Sequence, residues 1–147
     1  VILFVLFVGI VIAFGLMLTG EWCPAFLGCE DWGQVSRGES YAEEGLYERA
    51  IQEYDEAIRL ERDHARAYYH RGLAYEALGK TIEAERDFKK AIQEYDETIL
   101  RLDSDLCQTV WCRSSAFYGR GLAYEALGKT IEAERDFAEA KELGYEP

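Results

Sequence analysis

Asparagine is absent from this 147-residue chain, methionine occurs once and histidine twice. Without Asn there is no acceptor for an N-linked glycan. Thin use of thermolabile side chains fits a protein from a hot habitat. Charge is also missing in one place. Residues 1–20 hold no Asp, Glu, Lys or Arg, so the net charge of −12 falls entirely on residues 21–147. That acidity excludes nucleic acid, whose phosphates require clustered Lys and Arg, and it disfavours docking on anionic lipid. The acid excess itself reads as a solvated helical surface. The only imidazoles are His64 and His70, and no nucleophile, metal or phosphate motif stands out. The chain is therefore expected to be non-enzymatic and to need no cofactor, with both histidines in surface or packing roles.

What is present begins with an unbroken apolar run from Val1 to Leu18, continued by Thr19 and Gly20. About 20 helical residues cover roughly 30 Å, the thickness of a bilayer's hydrocarbon core. The run is apolar on every side, so as a helix it must sit in lipid or among other protein. Gly9 and Ala13 lie four apart, as do Gly15 and Thr19, a spacing that lets helix backbones approach closely. Arg37 is the first basic residue after the run, behind Glu21, Glu30 and Asp31. By the positive-inside rule such a flank belongs outside the cytoplasm, which places the rest of the chain extracellularly, at the cell surface. The sequence starts at Val1 with no Met or basic leader ahead of the apolar core, and in this the segment resembles a mature type IV pilin helix. The resemblance implies an assembly core of bundled helices.

Four cysteines follow: Cys23 and Cys29 in a linker over residues 21–30, and Cys107 and Cys112 farther on. An even count outside the cytoplasm favours disulfides, with three possible connectivities. Local closure, Cys23 with Cys29 and Cys107 with Cys112, is expected because each pair brackets a short loop. Tetrahedral zinc is one rival, although structural zinc sites usually space their ligands more tightly, and free thiols are the other. No CxxCH haem signature occurs.

Residues 31–147 repeat internally. RGLAYEALGKTIEAERDF occurs unchanged at Arg71–Phe88 and Arg120–Phe137, and AIQEYDEAI at Ala50–Ile58 returns as AIQEYDETI at Ala91–Ile99. Three helical hairpins follow, at 31–64, 65–98 and 114–147. Each carries a small residue (Gly38, Gly72, Gly121), then an aromatic, a turn glycine (Gly45, Gly79, Gly128), and Ala, aromatic, Ala on the second helix. This pattern, with its 34-residue step, resembles the tetratricopeptide repeat. The fold class expected is all-α: a hydrophobic N-terminal helix followed by a three-repeat solenoid. Residues 99–113 are extra. They read as an overlong second helix, from about Ile82 to Leu102, that projects beyond the stack. A disulfide-closed loop then displays Val110 and Trp111, either as a contact surface or with Trp111 capping the stack.

The resemblance implies binding of other proteins in a groove lined by the first helices. Helical spacing puts Trp32, Val35, Tyr69, Leu73, Tyr118 and Leu122 there, with Glu39, Glu76 and Glu125 beside them. The Lys, Arg and Asn of repeats that clamp C-terminal carboxylates are missing, so this is not a carboxylate clamp. No polar capping helix follows the third hairpin, and Phe137, Ala140 and Leu143 are expected to lack a cover that a neighbouring subunit could supply. Two functions are consistent with these features. One is the subunit of a type IV pilus-like filament, self-assembled through residues 1–20, with the repeats as an adhesive outer surface. The other, favoured by Val5 where many pilins carry Glu, is a membrane-anchored extracytoplasmic adaptor holding a partner protein.

Overall fold

The computed structural model describes residues 30–60, 65–101 and 110–146, with side chains over 33–60, 65–100 and 113–146. The chain divides into two compact units, Val1–Gly33 and Gln34–Pro147, and the second carries the repeats. Six helices and no strand occur among the described residues: α1 (Glu30–Glu43), α2 (Tyr47–Leu60), α3 (Ala65–Ala77), α4 (Thr81–Arg101), α5 (Val110–Ala126) and α6 (Thr130–Glu142). None of them is long and apolar enough to cross a membrane. The apolar segment 1–20 with Gly9, Ala13 and Gly15, and the cysteines Cys23, Cys29 and Cys107, lie outside the described residues. Cys112 falls in the first turn of α5, but its side chain is outside them too.

Each hairpin turns through one motif. After α3, the Gly79 amide donates to the Glu76 carbonyl (2.8 Å) and the Lys80 amide reaches back to the Tyr75 carbonyl (2.8 Å). This closure of the last helical turn needs φ above zero at the residue past the cap, and Gly79 sits at +72°. The same motif closes α1, α5 and α6.

The hairpins are held tight by rings packed on glycines. A Cβ on Gly72 would lie 2.6 Å from Phe88 Cε1, and one on Gly121 equally close to Phe137 Cε1. Only a residue without a side chain admits the second helix at that distance. Beside each glycine stands an arginine that reaches a carboxylate sixteen residues on: Arg37 to Glu53, Arg71 to Asp87, Arg120 to Asp136. Asp87 and Asp136 are buried, and each receives two guanidinium hydrogen bonds, from Nε and Nη2.

The overlong helix is α4, of 21 residues, and it does not project. It packs on both α3 and α5. In α2 one short segment does two jobs. Tyr54 fills the space beside Gly38 within its hairpin and stacks on His70 of the next, 5.9 Å between ring centres. Asp55 meanwhile accepts from Arg71 Nη1 at 2.5 Å. In α4 the jobs are divided. Phe88 and Asp87 serve Gly72 and Arg71 inside the hairpin. Tyr95 packs against Gly119, and Asp96 accepts from Arg120 Nη1 at 2.6 Å. Tyr95 stands seven residues after Phe88, about two turns, so the two rings share one face of α4, while Asp87 and Asp96, nine residues apart, point to different neighbours.

Two further expectations change. Helix α5 already begins at Val110, so Val110 and Trp111 stand in its first turn rather than on an exposed loop. No Gly or Pro interrupts the chain between them and Phe117, and nothing stops the helix from running back that far. Ala140 is buried, and the chain after α6 folds back at Gly144 so that Tyr145 stacks on Tyr118. The third hairpin thus supplies part of its own cover.

Candidate functional site

Helices α3 and α5 present the same stripe. Tyr69, Leu73 and Glu76 on α3, and Tyr118, Leu122 and Glu125 on α5, are spaced i, i+4, i+7, which sets each trio on one helix face. The four apolar members are half-buried and the two glutamates are exposed. Each ring is backed by its own hairpin: Tyr69 lies 6.0 Å from Phe88, and Tyr118 lies 5.5 Å from Phe137. Tyr145 stacks on Tyr118 at 4.5 Å with the rings 26° apart. Burial pushes the Tyr69 hydroxyl above the usual tyrosine range, and Glu125, Tyr118 and Glu76 nearby add to that rise. The Tyr95 hydroxyl is likewise driven up, chiefly by burial, with Tyr69, Tyr145 and an opposing Arg66 in its surroundings. Side chains from α3, α4, α5 and the C-terminal turn thus converge on one tyrosine-rich face.

The electrostatics of that face are uneven. Around the first hairpin the charge is matched: Glu39 Oε1 accepts from Arg66 Nη2 at 2.6 Å, and His70 Nε2 lies 2.9 Å away. His70 is itself packed against the rings of Tyr54 and Tyr69. Glu76 and Glu125, by contrast, pair with no cation among the described residues. An open cleft of about 330 Å³ lies between the first two hairpins, lined by Glu39, Glu43, Tyr47, Tyr54, His70 and Leu73. A second of about 270 Å³ lies between the first half of α4 and the end of α5, with Glu76, Glu85, Phe88 and Leu127 in its walls. Among the described residues no group of His, Cys, Asp or Glu side chains is placed to hold a metal ion.

Of the groove residues expected from spacing, Tyr69, Leu73, Tyr118 and Leu122 occupy the two stripes. Val35 does not line a groove. It is buried at 1% exposure in a cluster with Ala50, Tyr54, Ala57, Ala67 and Ala74, because the first hairpin carries Val35, Glu39 and Ala42 where the others carry Tyr, Leu and Glu. The Trp32 side chain is outside the described residues. Spacing alone overlooked Arg66, His70, Tyr95 and Tyr145. Only Tyr95 had a signal, since it repeats Tyr54 within the duplicated AIQEYDE segment.

Family models match this chain three times: one described as TPR repeat over residues 38–79, and two as tetratricopeptide repeat over 65–97 and 114–143. No curated protein matches it. Similar solved structures include the second TPR of Spaghetti (RPAP3) bound to the HSP90 peptide SRMEEVD, 32% identical, covering 78% of this chain and 92% of that one, with a TM-score of 0.46. The second TPR domain of human RPAP3, in complex with the HSP70 peptide SGPTIEEVD, is 31% identical over 78% and 86% of the two chains, with a TM-score of 0.45. The N-terminal domain of stress-induced protein-1 from C. elegans is 20% identical over 80% and 86%, with a TM-score of 0.46.

Proposed function

Since the chain belongs to the tetratricopeptide-repeat family and is built as a protein-interaction domain, we propose that it is a non-catalytic adaptor whose α3–α5 face holds a partner segment combining apolar side chains with cations. The observation that carries this reading is the pair of exposed carboxylates, Glu76 and Glu125, at the ends of two half-buried Tyr–Leu stripes with no cation of their own. A buried Tyr or Leu contact supplies affinity, and unmatched carboxylates select the sign of the partner's charge. An acidic peptide would meet Glu43, Glu76 and Glu125 with like charge, while the one matched site, at Glu39, already occupies Arg66 and His70. The acidic flank ahead of Arg37 supports placing this domain outside the cytoplasm, with the apolar residues 1–20 as its membrane tether. The filament reading rests on those same residues and draws no support from the repeats.

The test is fluorescence anisotropy with a labelled peptide rich in Leu and Lys, against its counterpart with every Lys replaced by Glu. The Lys peptide should bind at least about tenfold more tightly, and the double variant Glu76→Lys, Glu125→Lys should reverse the order. Equal binding of the two peptides would sink the proposal.

A further inference from the structure

Helices α3 and α5 run parallel but not level. At the first junction Tyr54 and Asp55 of α2 meet His70 and Arg71. The corresponding Gly119 and Arg120 of α5 do not meet Phe88 and Lys89, which hold the equivalent places in α4. They meet Tyr95 and Asp96, seven residues farther on. Seven residues advance a helix by about 10 Å, and they carry α5 toward the N-terminal end of α3 by that amount. Corresponding side chains therefore slip by one stripe length, and Glu125 comes beside Tyr69 instead of beside Glu76. Burial raises the Tyr69 hydroxyl, and Glu125 and Tyr118 of α5 add to that rise alongside Glu76 of its own helix.

The slip staggers the two side-by-side stripes along the helix direction: Tyr118, Leu122 and Glu125 of α5 stand one heptad ahead of Tyr69, Leu73 and Glu76 of α3. An apolar, apolar, acid pattern is thereby repeated twice at a seven-residue interval, over about 20 Å. An extended segment crossing the helices would meet this sequence of groups in no regular order. A helix laid along them meets it in register, because its own side chains return to one face every seven residues.

We infer that the occupant of this face is an amphipathic helix of a partner protein, aligned with α3 and α5, whose apolar stripe recurs each heptad with one Lys or Arg per heptad facing Glu125 and Glu76. This rests on the reading that the face binds a cationic, apolar segment, and adds the partner's shape and period. Charge complementarity supplies the cations, and the seven-residue offset supplies the period.

Two synthetic peptides of about 21 residues separate the inference from that reading: one with Leu and Lys in heptad register, the other of identical composition with the order scrambled to remove the helical stripe. The full chain should bind the heptad peptide at least about tenfold more tightly, and the peptide should gain helical circular dichroism on binding. A variant lacking Lys89–Tyr95 sets Asp96 directly after Phe88, as Asp55 follows Tyr54, and removes the offset. Its folding is checked by circular dichroism, and it should lose the preference. If both peptides bind equally well, the helical occupant is overturned while the cationic partner stands. If neither binds, both fall. A folded deletion variant that keeps the preference overturns the offset as its cause, and if that variant does not fold the two peptides on the intact chain decide.

Discussion

Replacing Arg120 by Met should destabilise the stack far more than replacing Asp96 by Ala, although both substitutions break the same 2.6 Å contact. The difference lies in what is left behind. Asp136 keeps only 3% of its side-chain surface exposed and takes two of the Arg120 donors, at 2.6 and 2.7 Å. Without the guanidinium its carboxylate is buried and unmatched, a state that costs about 3–5 kcal/mol. Arg120 also stands over the rings of Phe117 and Tyr124, at 5.2 and 5.9 Å, and these contacts add about 0.5–1 kcal/mol each. The Met stem retains part of the packing. Asp96 is different, since 45% of its side chain is exposed. Removing it leaves Arg120 still matched by Asp136 and should cost no more than about 1 kcal/mol. Urea denaturation followed by circular dichroism measures both. The Arg120→Met penalty should be about 3–5 kcal/mol, several times that of Asp96→Ala. An Arg120→Met penalty under about 1 kcal/mol, or an Asp96→Ala penalty equal to it, would refute the claim that Asp136 is a buried charge held by Arg120.

Gly79→Ala should cost about 1–2 kcal/mol from its left-handed backbone alone, since nothing lies within 4 Å of where the Cβ would go; unchanged urea stability would argue against the turn geometry. Tyr54 and Tyr95 are both held above the ordinary tyrosine value of 10.0, chiefly by burial. Their contribution is intact below about pH 10 and is lost above it, where the unfolded chain gives up its phenolic protons first. Thermal melts should show stability falling by about 2–3 kcal/mol per pH unit there, and a flat alkaline profile would count against the burial of these rings. Tyr145→Ala should cost about 1 kcal/mol and speed hydrogen exchange at the end of α6, with no change in α2; exchange that is unaltered at α6 would show that Tyr145 is no cover. Binding of the Lys peptide should weaken with added salt, as a contact to exposed Glu76 and Glu125 requires, and salt-independent binding would point away from them.

The hairpins were legible because their grammar is local. A turn glycine, a small residue beside an aromatic sixteen positions on, and Ala at i and i+7 of the second helix each declare themselves within one repeat. The length of α4 was legible for the same reason, from the duplicated AIQEYDE segment. What that segment does was not. Gly119 and Arg120 dock on Tyr95 and Asp96 across a gap in sequence that no periodicity spans, and a helix scored by itself looks like a projection. Val35 misled because the first hairpin has the spacing of a groove but not its side chains. With Glu39 turned to Arg66 and His70, its neighbouring apolar position belongs to the core. Tyr145 was illegible because the fold-back that brings it to Tyr118 depends on Gly144, outside the repeated block.

The central claim is that partners are held on the α3–α5 face by the Tyr–Leu–Glu stripes. Its most direct test is a titration of the isotope-labelled protein with the heptad Leu–Lys peptide, followed by NMR. The account predicts that the largest shift changes fall on Tyr69, Leu73, Glu76, Tyr118, Leu122 and Glu125, with Ile82 and Ile131, exposed elsewhere on α4 and α6, unaffected. Shift changes centred on Ile82 and Ile131, or spread evenly over all six helices, would contradict it.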